Sequence, residues 1–182
     1  MSQERICVQK LSEVHKDTMN NIRNNSKNSD HFQKLSAAFW KTKLWRSGSE
    51  IKIAFLKDKD NIRIPRTSID TMRGNPIDPL QTKFSNQDTD IIAAIKEIIQ
   101  KRIIPLVNLK ISFIDNPNDA QIRIDFDPDG GAWSMVGTDC LNQTDYTKPT
   151  MNLGWFDVGT VIHEFGHVLG MIHEHQNPLG KT

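Results

Sequence analysis

Residues 163–175 read His-Glu-Phe-Gly-His-Val-Leu-Gly-Met-Ile-His-Glu-His, and four of the chain's six histidines fall in these 13 positions. No other stretch limits the fold as tightly. His163 and His167 are four residues apart, which on an α-helix stacks both imidazoles on one face, within reach of one metal ion. Glu164 lies on the same side but one position off that stripe. This suits a carboxylate that holds a water rather than one that ligates. Gly170 follows three residues after His167, and His173 three after that. A glycine there can end the helix in a left-handed turn because it has no Cβ to clash, and the bend lets His173 return as a third ligand. Three protein nitrogens and one open position make a catalytic zinc site, whereas a structural zinc is closed by four ligands. From the chain's own residue frequencies, the five fixed residues arise at these spacings by chance about once in 10⁵ such chains.

The motif resembles H-E-x-x-H-x-x-G-x-x-H of the metzincin zinc metalloproteases. Glu174, directly after the third His, is similar to the astacin-type proteases within that clan. Asn152-Leu-Gly-Trp-Phe156 and His173-Glu-His-Gln-Asn-Pro178 resemble a microbial and viral branch of astacin-like proteins. The likeness covers residues 119–178, and residues 50–115 follow it by pattern. It implies an α/β (α+β) fold, the N-terminal lobe of a zincin: a twisted mixed β-sheet of five strands or so, a backing helix and a zinc-binding helix. It further implies Zn2+ held by His163, His167 and His173, with Glu164 as the general base of a metalloendopeptidase acting on a peptide or protein substrate. His175 has a different parity and is expected outside the ligand set.

The chain departs from that family after the motif. Nine residues follow His173, where metzincins carry a methionine-containing turn beneath the metal and the lower wall of the cleft. No Met follows Met171, and the single Tyr, Tyr146, lies upstream of the motif, although astacin-type proteases often have one near that turn. The expected organisation is a polar tail or pro-like segment over residues 1–42 and a metzincin-like catalytic domain over 43–182, shortened at its C-terminal lobe. A second class of function stays open: a non-catalytic zinc- or peptide-binding module, or an inactive fragment of a longer protease. The intact Glu164 favours the enzyme, since a structural site needs no general base.

Composition narrows the partners. Formal net charge is +1 and the pI about 7.8, which gives no electrostatic reason to expect nucleic acid or an acidic membrane. Hydrophobic residues make up 37% and the mean hydropathy is −0.51, so a soluble monomer is expected. The longest apolar runs fall far short of the ~20 residues of a membrane helix. The first ten residues have no apolar h-region, which makes the cytoplasm the default compartment. Cys7 and Cys140 make no disulfide framework. Cys7 reads as a free thiol near a weakly ordered end, and Cys140 as a small apolar filler.

Periodicity supplies the remaining elements. Glu50 to Lys57, Leu109 to Ile114 and Ala120 to Phe126 alternate as strands, and Ala132 to Gly137 and Thr150 to Leu153 read as two short ones. Ile91, Ile95, Ile98 and Ile99 mark a helix over Asp88 to Ile104, with Pro105 as its stop. A strand, a long helix and a strand imply a parallel crossover. Residues 58–87, with Pro65, Pro76, Pro79 and Gly74, read as a long loop with a short strand at Asn61 to Ile64. The aromatic cluster Phe32, Phe39, Trp40 and Trp45 is expected to pack on the domain. Asp125 to Gly130 matches half of a calcium loop, but its twelfth position is Val136, so a turn between strands is the better reading. Asp157 is placed to cap a helix from Val158 to Leu169. By resemblance, Ala132 to Gly137 is the antiparallel edge strand lining the cleft, with Trp133 beside the cleft or in the core.

Overall fold

Alternation along β1 (Glu50–Phe55) sends Ile51 and Ile53 into the core while Glu50 stays exposed. The computed structural model describes residues 40–66, 79–84 and 89–173. Four further strands join β1 in one sheet: β2 (Lys110–Phe113), β3 (Ile122–Asp125), β4 (Ala132–Ser134) and β5 (Met151–Leu153). Their order is β2-β1-β3-β5-β4. β1 runs parallel to β2 and β3, and β3 parallel to β5. β4 alone is antiparallel, pairing Trp133 with Asn152 of β5. The mixed five-stranded sheet is thus the one expected, with β4 at its edge.

Two expectations for residues 58–87 are corrected. The described part of the loop holds a 3-10 turn at Lys59–Asn61 and a helix α1 (Pro79–Phe84). Pro79 opens that helix, where its missing N–H costs nothing, and Leu80 and Phe84 bury its inner side. Asn61 to Ile64 is not a strand. Ile62 and Ile64 are buried, so the alternation reports one-sided burial, which needs no ladder partner. Beyond them the chain forms an isolated parallel bridge between Arg66 and Phe156.

The backing helix α2 (Ile91–Ile98) is capped by Asp90, whose carboxylate accepts the Ala93 N–H at 3.2 Å. It then widens into a π turn over Ile99–Ile103, which keeps Ile99 and Ile103 buried, and tightens into a 3-10 turn over Ile104–Leu106. Pro105 therefore lies inside the last turn rather than beyond it. A 3-10 start has no use for that N–H, so the proline is tolerated there.

Ile95, Ile98, Ile51, Ile53, Ile122, Ile124, Met151 and Phe165 belong to one core cluster. Ile95 is fully buried, so Ile95→Ala should cost about 2–5 kcal/mol. Urea denaturation should show it as a lower midpoint with an unchanged slope. The sheet's other face carries Arg123, also buried. Its guanidinium donates to the carbonyls of Lys148, Ala120 and Gln143 at 2.9, 3.1 and 2.9 Å. The bonds to Lys148 and Gln143 tie the long connection between β4 and β5 to the sheet. Asn152 sews the turn after β3 in the same way, donating to the carbonyl of Asp127 at 2.9 Å and accepting the Asp127 N–H at 2.9 Å.

Candidate metal centre

Helix α3 (Val158–Val168) carries the centre and is held at both ends. At its start, Asp157 accepts the Thr160 N–H at 2.9 Å through Oδ1 and the Thr160 hydroxyl at 2.5 Å through Oδ2. The Trp155 indole donates to Thr160 Oγ1 at 2.9 Å. Gln81 of α1 accepts the Val158 N–H at 2.7 Å, so a second orphan donor of the first turn is satisfied. Val158, Val161, Phe165 and Val168 bury one face, and the helix packs against β4 and α2.

At its end, the Gly170 N–H donates to His167 O at 2.8 Å and the Met171 N–H to Gly166 O at 3.0 Å. This pair of bonds is a Schellman motif, which requires a left-handed residue at Gly170, found at φ +96°. The chain turns back there, as the motif's spacing predicts.

The turn brings the three sequence-predicted histidines together. His173 Nε2 lies 2.9 Å from His163 Nε2 and 3.1 Å from His167 Nε2. Ligands about 2.05 Å from a tetrahedral ion stand about 3.3 Å apart, so three imidazoles this close fit a zinc ion with little movement. Their donor set, three nitrogens and no carboxylate, suits zinc over calcium or magnesium. Among the described residues, this is the group of His, Cys, Asp and Glu side chains able to hold a metal.

His167 Nδ1 donates to the Met171 carbonyl at 2.8 Å, which fixes the tautomer and leaves Nε2 with its lone pair. Burial pushes the His167 pKa down to about 4, with the Met171 bond opposing and the neighbouring histidines adding to the shift. His167 is therefore neutral at pH 7 and ready to ligate. His167 is buried, His173 half-buried and His163 exposed, so the cluster opens on one side. Glu164 is fully buried beside it. It lines, with Gly159, Thr160 and His163, an open hollow of about 260 Å³.

Gly159 and Thr160 were not singled out in the sequence, although they stand one turn before His163 and Glu164 on the same face. Trp133 is buried rather than exposed to the cleft. Cys140 is a buried free thiol whose pKa burial raises to about 12, as a filler should be. Cys7, Phe32, Phe39, Glu174 and His175 lie outside the described residues.

The model of one protein family, the Astacin peptidase family, matches residues 79–178. Two solved structures of myroilysin are similar. One is 29% identical, with a TM-score of 0.51, over 79% of this chain and 58% of that chain. The other is 22% identical, with a TM-score of 0.47, over 93% of this chain and 52% of that chain. No curated protein matches. This chain thus spans 58% of the length of the first myroilysin chain, and the mixed sheet with its helices is the metzincin-like fold expected. With the family's motif folded around three converging histidines, the chain belongs to the astacin family of peptidases.

Proposed function

We propose that this chain is a zinc metalloendopeptidase in which His163, His167 and His173 hold the metal and Glu164 is the general base. The supporting observation is the convergence of three imidazole nitrogens beside a fully buried carboxylate, at a site open on one side. A zinc ion held there would supply Lewis acidity, polarising a peptide carbonyl and acidifying a water.

The chain's own residues do the rest. The Met171 carbonyl holds His167 in the ligating tautomer. Glu164 receives the proton of the attacking water and passes it to the leaving amine, so hydrolysis needs no covalent intermediate. β4 stands at the sheet edge, where an extended peptide can add as a further strand and bring its backbone to the site. The substrate is accordingly an extended peptide or an exposed protein segment.

Cleavage of a quenched fluorescent peptide pool tests the reading. Cleavage should stop when a zinc chelator is added and return when zinc is restored. Cleavage indifferent to chelation would remove the metal from the mechanism. Zinc uptake without cleavage would leave a peptide- or zinc-binding module.

A further inference from the structure

Helix α3 ends with more carbonyls than its own turn can satisfy. The Schellman motif takes those of Gly166 and His167. Val168 and Gly170 are served from far away in the sequence, by residues 40–45. The Trp45 indole N–H donates to the Val168 carbonyl at 2.7 Å, and the Trp40 backbone N–H donates to the Gly170 carbonyl at 2.8 Å.

Between these two bonds the segment is locked to the chain that follows β4. Lys43 Nζ lies 2.7 Å from the buried carboxylate of Asp139. The Lys43 carbonyl would stand 1.9 Å from any Cβ at Gly137, which has φ +52°, so only glycine fits beneath it. The Leu44 side chain lies over Gly170, with its Cδ2 2.9 Å from where a Cβ would be. The turn that returns His173 is therefore clamped by a strap from outside the motif.

We propose that Trp45 is a positioning residue for the metal centre, acting through the Gly170 turn on His173. Without its indole donor the Val168 carbonyl loses its partner at the half-buried helix end, and the turn loosens where the third ligand begins. The coupling is reciprocal: a metal that fixes His173 also seats the strap. The inference rests on the three histidines as ligands and on no cleavage activity.

Trp45→Phe in the full 182-residue chain keeps a ring and deletes the donor. Competition with a chromogenic chelator should show zinc held about 10–100-fold more weakly, the usual effect of losing an outer partner of a metal ligand. The cobalt-substituted protein should show an altered visible spectrum as His173 detaches. Ile98→Val, a core change that removes neither of the strap's hydrogen bonds, should leave both readouts as in the unaltered chain. Zinc affinity within about twofold, well short of that range, and an unchanged cobalt spectrum in Trp45→Phe would overturn the proposal. So would an equal loss in Ile98→Val.

Should Trp45→Phe not fold, limited trypsin digestion of the unaltered chain decides. Zinc should slow cutting after Lys41, Lys43 and Arg46 by about tenfold or more relative to cutting after Lys148, as the reciprocal coupling requires. An unchanged ratio refutes the coupling. An unaltered chain that takes up no zinc overturns the site reading as well, whereas tight zinc binding with and without the indole overturns this inference alone.

Discussion

With Glu164 as the proposed general base, Glu164→Gln is expected to lower kcat by about 10²–10⁴-fold, the usual contribution of such a group, and to leave zinc uptake intact. The substitution is close to isosteric, which matters at a fully buried position, where a change of volume would disturb the helix. The amide cannot accept the proton of the attacking water, so the loss falls on the transition state. KM should change little beside kcat, because a general base contributes to the transition state and not to ground-state binding. Steady-state kinetics with metal analysis of the same sample checks this. Wild-type turnover in Glu164→Gln would mean that another group takes the proton.

The second large effect separates two of the histidines. His163→Ala and His167→Ala should both lose zinc, by more than the roughly 10–100-fold expected for an outer partner. Saturating zinc should stabilise the unaltered chain by about 4 kcal/mol at a roughly thousandfold excess over Kd. Neither variant should gain that rise in Tm. In metal-free protein they should differ. His163 is exposed and its removal should leave the apo Tm unchanged. His167 is buried and donates to the Met171 carbonyl, so its removal opens a gap and frees a carbonyl in the closing turn. The apo Tm of His167→Ala should fall. Equal apo stabilities would show that the Met171 bond contributes nothing to the turn.

What was legible in the sequence was local. The ligand helix, its Asp157 cap and its Gly170 end follow from spacings within a few residues, because helix geometry fixes which side chains share a face. Three of the five strands, β1, β2 and β3, follow from alternation, and the boundaries of all five needed trimming only at the ends. Alternation misled at Asn61 to Ile64, where one-sided burial occurs without a strand partner. It was also silent about α1, a helix of six residues too short to show a period. Arg123 was hidden for a related reason: a strand arginine reads as solvent-facing, while here three carbonyls from a long connection and its own loop offset the cost of its burial. The strap was beyond reach. Trp45 and Val168 are 123 residues apart, and nothing in the composition near either announces the other. The need for glycine at 137 arises only when the Lys43 carbonyl is laid against it.

Anomalous X-ray scattering at the zinc edge, from crystals grown with zinc, would locate the metal itself. A single strong peak is expected about 2.0–2.1 Å from Nε2 of His163, His167 and His173, with Glu164 outside bonding distance. A peak held by other residues, or none among these three nitrogens at saturating zinc, would contradict it.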